Sequence, residues 1–138
     1  MEKKKLLFVC VENSNRSQMS QAFATILGGG KVEAYSAGSH PSGKINPKAI
    51  AAMAELGYDL SKHDSKSLKE VESHAPFDVV VTMGCGDACP WMPAARFIDW
   101  QIPDPRNMNE SEFRVVRDFI KKQVTTLLTE IGVLQAQD

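Results

Sequence analysis

Long apolar runs are missing from this sequence. The stretch Leu6 to Val11 is far too brief for a signal-peptide core or a membrane span, and it follows the one basic run, Lys3-Lys4-Lys5. The cytosol is therefore the expected compartment, and no membrane partner is expected. A dominant charge is missing too. The formal net charge is −1, which argues against the broad basic surface of a nucleic-acid-binding domain. The three histidines, His40, His63 and His74, show no paired ligand spacing, so a metal site is not expected. Cysteine is scarce and odd in number, at three. That argues against a disulfide framework; in a reducing compartment such cysteines stay thiols and are catalytic, metal-binding or plainly buried.

What is present suits one domain over residues 1–138, with 43% hydrophobic and 24% charged residues, no repeat and no linker. Leu6 to Cys10 is a continuous apolar run, as in a strand buried on both faces of a parallel sheet. From Arg16 the pattern turns helical, with Met19, Phe23, Ile26 and Leu27 at spacings of three and four, until Gly28-Gly29-Gly30 ends it. Val32 to Ala37 reads as a second strand, and Asn46-Pro47 as a helix start with a stop at Gly57. Phe77 to Met83 and Arg96 to Trp100 supply two further strands. A last helix from about Glu110 carries Phe113, Val116, Ile120, Val124, Leu127 and Ile131 on one stripe. Only Ser61 to Ser73 resists assignment. The alternation predicts an α/β three-layer sandwich: a four-stranded parallel sheet covered by helices on both faces. In such sheets ligands bind beyond the carboxyl ends of the strands, which directs attention to Val11–Ser17, Gly84–Pro93 and Gln101–Asn109.

The first of these segments completes Cys10-Val11-Glu12-Asn13-Ser14-Asn15-Arg16-Ser17. A cysteine ends a buried strand, an arginine opens a helix, and short polar residues able to accept unusual backbone angles lie between. Amides of such a loop, with the helix N-terminus, form an anion cradle from Val11, Glu12, Asn13, Ser14, Asn15 and Arg16. Arg16 can grip two oxygens of a tetrahedral anion in a bidentate fork. The same positive field favours the thiolate of Cys10, to which Ser17 can donate a hydrogen bond. Asn13 suits a left-handed backbone position. The plainer alternative is an ordinary buried thiol at the end of a strand.

Cys10 to Ser17 resembles the active-site loop of the low-molecular-weight protein tyrosine phosphatases and of the arsenate reductases that share their fold. The likeness extends through Gln18-Met19, Tyr35-Ser36-Ala37-Gly38, Asn46-Pro47 with Ala49, Gly57-Tyr58-Asp59-Leu60-Ser61, Asp78 to Met83, and Asp104-Pro105. It covers nearly the whole chain. The resemblance implies a thiolate nucleophile, Cys10, attacking a phosphate-like oxyanion held by Arg16, with Asp104 as general acid. Read without the resemblance, Asp104 is a turn residue before proline, with Asp99 and Asp87 as substitutes in the acid role.

Phosphatase and reductase part ways after the attack. A reductase must deliver two electrons and needs further thiols. Cys85 and Cys89 lie in Met83-Gly84-Cys85-Gly86-Asp87-Ala88-Cys89-Pro90, which resembles the redox loop of arsenate reductases. There a second cysteine attacks the first and a third resolves it, implying catalytic roles for Cys85 and Cys89. Incidental thiols in a surface loop are the alternative. Arg106-Asn107 follows Asp104-Pro105 where tyrosine phosphatases carry aromatic residues around a phenol ring. Arsenate reductase is thus the leading expectation, with phosphate as a substrate analogue and residual phosphatase activity possible. A tyrosine phosphatase and a non-catalytic oxyanion- or arsenite-binding regulator are the alternatives.

No bound cofactor is expected, and the enzyme is expected to work as a monomer. The electron donor is an external thiol: thioredoxin, glutaredoxin with glutathione, or mycothiol. The interval from Cys85 to Cys89 is shorter than in thioredoxin-coupled members, and the Cys-Gly-Cys element of glutaredoxin-coupled ones is absent. The potassium site of some relatives is incomplete. Asn13 and Ser36 match it, but Gln21 stands where glutamate is expected and Lys66 replaces an aspartate.

Overall fold

The computed structural model describes residues 3–83 and 92–134. Four strands, β1 (Lys4–Cys10), β2 (Val32–Gly38), β3 (Phe77–Thr82) and β4 (Ala94–Asp99), form one sheet in the order β2-β1-β3-β4 with every pairing parallel. The apolar run of β1 places it centrally, with Leu6, Leu7 and Phe8 fully buried. Alternate side chains face opposite layers. Leu6, Phe8 and Cys10 join Val79 and Val81 in one core, while Leu7 and Val9 join Ala37, Val80, Leu68 and Val71 in another. β4 pairs on one side only and its side chains are largely exposed, as an edge strand allows.

The larger core is covered by α1 (Arg16–Gly28), α2 (Pro47–Ala54) and α4 (Glu110–Glu130). α2 starts where Asn46 Oδ1 accepts from the Lys48 amide at 2.9 Å, with Pro47 at the first helical position. α4 opens on a capping box between Asn109 and Glu112, and Phe113, Val116, Ile120, Val124 and Leu127 are all buried. On α1, Met19, Ala22 and Phe23 are buried, but Ile26, in the same stripe, is 46% exposed in the last turn. The unassigned stretch resolves into a 3-10 turn, Leu60–Lys62, and a one-turn helix, α3 (Leu68–Val71), which carries the smaller core. Its capping box between Ser67 and Glu70 was readable from the sequence, but four residues give no periodicity to detect.

Strand register sets the position of the site. Cys10 pairs with Gly38, Val9 with Thr82, and Thr82 with Asp99, so the carboxyl ends of all four strands are level. The chain crosses over β1 between β2 and β3, which puts the break in strand order at the end of β1. Residues that follow the strands, 11–15, 39–46 and 100–109, therefore gather around Cys10. No described helix is long and apolar enough to cross a membrane.

Candidate active site

Cys10 ends β1 with 3% of its surface exposed, and α1 begins six residues later. The loop between them is held by neighbours that take its carbonyl groups. His40 donates to the Val11 carbonyl at 2.7 Å, Ser42 N and Ser65 Oγ to that of Glu12 at 3.0 Å, and Asn46 to that of Ser14 at 3.2 Å. In a trans peptide the N–H points opposite to its carbonyl, so these contacts turn the following amides away from the supporting segments. Asn13 adopts φ +53°, the left-handed conformation expected of it. Gly38 lies against the loop so closely that a Cβ there would stand 2.6 Å from the Val11 carbonyl and 2.9 Å from the Asn13 nitrogen. Only glycine allows this strand end to support the loop.

Asn15 precedes α1 without capping it, and its Oδ1 is buried with no hydrogen-bond partner among the described residues. The first-turn amides of α1 therefore stay available to an anion. Arg16 is 7% exposed, and its Nη1 donates to the Ile102 carbonyl at 3.1 Å. That bond ties the guanidinium to the loop that carries Asp104. Asp104 Oδ2 lies 3.9 Å from Arg16 Nη2, and its Oδ1 accepts from the Arg106 amide at 3.1 Å. Cys10, Glu12, Ser14, Asn15, Arg16 and Asp104 line one small recess. Beside it, Arg106 Nη1 pairs with Glu12 Oε1 at 3.0 Å, joining segments 94 residues apart. A guanidinium and a carboxylate thus stand where an aromatic slot would be.

Behind the recess, Cys10 Sγ and Ser17 Oγ are 2.9 Å apart, and Asn13 Nδ2 donates to the same hydroxyl at 2.7 Å. Asn13 Oδ1 accepts from Gln18 Nε2 and from the Lys66 amide. Ser36 donates to Gln21 Oε1 at 2.6 Å, while Lys66 Nζ donates to the Asp64 carbonyl at 2.8 Å. These residues do not fit a potassium ion: an amide and an ammonium replace both carboxylates, and the Asn13 oxygen is already doubly occupied.

Of the residues singled out in the sequence, Cys10, Glu12, Ser14, Asn15, Arg16 and Asp104 line this recess together. Val11 and Asn13 support it through backbone and side-chain contacts, and Ser17 reaches the sulfur. Asp99 lies elsewhere, accepting from Thr82 Oγ1 at 2.7 Å. Cys85, Asp87 and Cys89 lie outside the described residues. The sequence reading gave no role to Gln18, Tyr58 and His63, which carry no ligand or nucleophile spacing. Gln18 Oε1 meets His63 Nδ1 at 2.9 Å across 45 residues, and His63 Nε2 meets the Tyr58 hydroxyl at 2.5 Å.

Burial, then the charges of Lys66 and Lys62, lower the His63 pKa from 6.5 to about 4; Asp64 and Asp59 oppose them. Between those two values the unfolded chain binds more protons than the folded one. Stability from this ring is therefore present above pH 6.5 and lost as pH falls towards 4. Allowing for solvent screening of a partly exposed ring, the loss is about 1–2 kcal/mol. Urea midpoints measured across that window should fall on acidification, and the fall should shrink in His63→Asn.

Sequence and fold comparisons agree with the geometry. The family model for low molecular weight phosphotyrosine protein phosphatase matches residues 5–136. A glutaredoxin arsenate reductase of Synechocystis sp. is 40% identical over 132 residues, spanning 94% of this chain and 99% of that protein. The solved structure of an arsenate reductase in the phosphate-binding state superposes with a TM-score of 0.84 at 39% identity, covering 94% of this chain and 99% of its own. A thioredoxin-dependent arsenate reductase of Corynebacterium glutamicum superposes with a TM-score of 0.79 at 32% identity, covering 95% of this chain and 63% of its own. With Cys10, Arg16 and Asp104 around one recess and a family match along nearly its whole length, the chain belongs to the low molecular weight phosphotyrosine protein phosphatase family.

Proposed function

We propose that this chain is an arsenate reductase, converting arsenate to arsenite with an external thiol as reductant. One observation carries the choice of substrate within the family. The recess around Cys10 is bounded by Arg16, Asp104 and the Glu12–Arg106 ion pair, polar groups suited to a small tetrahedral oxyanion rather than a phenol ring. The similarity to arsenate reductases at about 40% identity supports the same reading. A cytosolic setting agrees with it, since reducing conditions keep the cysteines as thiols.

Arg16 and the loop amides bind arsenate, and the Cys10 thiolate attacks arsenic to form an S–As bond. Hydroxide leaves as water when Asp104 supplies the proton. Cys85, as thiolate, then attacks Cys10 Sγ. The S–As electron pair moves to arsenic, which leaves as arsenite(III), and a Cys10–Cys85 disulfide remains. Cys89 attacks Cys85, freeing Cys10 and passing the oxidation to a Cys85–Cys89 pair. An external thiol reduces that pair and closes the cycle. Glutaredoxin, which names the Synechocystis relative, and thioredoxin, which names the Corynebacterium one, are the first donors to try, with mycothiol third.

The decisive assay is arsenate-dependent NADPH oxidation, run separately with thioredoxin, glutaredoxin–glutathione and mycothiol systems. Turnover with one of them is expected; hydrolysis of aryl phosphates without any arsenate-dependent oxidation would instead identify a phosphatase, and binding without turnover a regulator. For the thiols, peptide mass spectrometry after one equivalent of arsenate is expected to find Cys10–Cys85 accumulating in Cys89→Ser. Cys85→Ser should stall before any disulfide forms. If both serine variants keep full turnover, Cys10 is the only catalytic cysteine and its arsenic adduct passes directly to the external thiol.

A further inference from the structure

Two loops meet at the recess, and Arg106 joins them. The loop after β4 carries Asp104 on an exposed stretch between two buried residues, Ile102 and Pro105. Three cationic side chains tie this loop down. Arg16 Nη1 donates to the Ile102 carbonyl at 3.1 Å, and Lys48 Nζ, from α2, to the Met108 carbonyl at 2.6 Å. Both grip backbone on either side of the acid. Arg106 holds the acid itself: its amide donates to Asp104 Oδ1 at 3.1 Å, while its Nη1 pairs with Glu12 Oε1 at 3.0 Å. The far end of that pair is fixed as well. The Glu12 carbonyl accepts from Ser42 N and from Ser65 Oγ, each at 3.0 Å, in the loop that begins at Cys10. Glu12 also lines a recess suited to an anion, where a bare carboxylate would repel the ligand. Arg106 cancels that repulsion, and the pair leaves a mechanical link between the two loops.

We propose that Glu12 and Arg106 are positioning residues, their ion pair latching the loop that carries Asp104 onto the nucleophile loop. The latch rests on the reading of Cys10 as nucleophile and Asp104 as proton donor, and it adds what holds the donor in reach. Proton transfer needs the donor within about 2.6–3.2 Å of the departing oxygen. A misplacement of about 1 Å is enough to spoil such geometry. The pair is partly open to solvent, with Arg106 58% and Glu12 32% exposed, so its effect is modest and screened by salt.

The test measures how fast the reduced protein forms arsenite in one turnover at saturating arsenate, with inorganic phosphate affinity read separately by calorimetry. Arg106→Gln and Glu12→Gln each break the pair, yet they change the charge beside the recess in opposite directions. A charge effect acting through space would move the two rates oppositely; a latch lowers both. Each variant should lose about two- to fivefold in rate, the range an exposed ion pair supports. Phosphate should bind more weakly in Arg106→Gln and more tightly in Glu12→Gln. The charge-reversed Glu12→Arg/Arg106→Glu protein should recover most of the rate. In an Asp104→Asn background neither glutamine substitution should slow the reaction further, since a latch acts only through the acid it positions. Unchanged rates in the single variants, or rates that move oppositely, overturn the proposal. So does a loss that persists undiminished in Asp104→Asn, or a folded charge-reversed protein that recovers nothing. If the charge-reversed protein does not fold, the Asp104→Asn comparison decides. A wild type that forms no arsenite would sink the reading of the site and the latch with it; an active wild type with unaltered variants sinks the latch alone.

Discussion

Replacing Cys10 with serine is expected to lower arsenate turnover by at least about 10⁴-fold, the order of loss when a covalent nucleophile is removed. The electron count makes the loss stronger than in hydrolysis. Arsenic(V) becomes arsenic(III) only if the attacking atom can be left oxidised in a disulfide, which a hydroxyl oxygen cannot. Serine should nevertheless leave the recess intact, because Arg16 is held by the Ile102 carbonyl and the loop carbonyls by residues 39–46 and 65, none through the sulfur. Phosphate binding measured by calorimetry should therefore persist in Cys10→Ser. Retained turnover would move the nucleophile to Cys85 or Cys89 and leave the recess without its assigned chemistry.

Asp104→Asn is expected to reduce turnover by about 10²–10⁴-fold, the range for loss of general acid assistance. The side chain is well placed for that role. Its Oδ1 is fixed by the Arg106 amide, its Oδ2 stands 3.9 Å from Arg16 Nη2, and its side chain is 43% exposed, so it can regain a proton from water. Asparagine preserves the shape and the bond to the Arg106 amide but has no proton to give to a departing hydroxide. It also removes a negative charge from the recess, so phosphate should bind as well as before or slightly tighter. A fall in turnover together with weaker phosphate binding would point to a structural role for Asp104. Unchanged turnover would transfer the acid role to solvent or to Asp87, since Asp99 is engaged by Thr82 and Gln101.

Local and periodic features account for how much could be read in advance. The apolar run Leu6–Cys10, the helical stripe from Phe113 to Leu127 and the Asn46-Pro47 start each depend on neighbours within a few positions. The structure returns them nearly where they were expected. Strand β4 is displaced by two residues at its start, from Arg96 to Ala94, because an exposed edge strand has no inward-facing alternation to mark its bounds. Helix α3 was missed because one turn is too short to show a period.

The strand–loop–helix arrangement around Cys10 was legible in the residues alone, because Cys10 through Ser17 is one continuous segment in which strand end, polar loop and helix start must adjoin. The parallel sheet was legible for a similar reason: alternating strands and helices leave few other arrangements. Packing in three dimensions settles what surrounds that loop. Asp104 reaches Arg16 because the strand ends are level, Arg106 pairs with Glu12 across 94 residues, and Gly38 backs the loop from the neighbouring strand. The hydrogen bonds that link Tyr58, His63 and Gln18 follow no spacing in sequence. Such contacts are set by where the elements pack, so the residues that form them carry no local pattern from which they could be recognised.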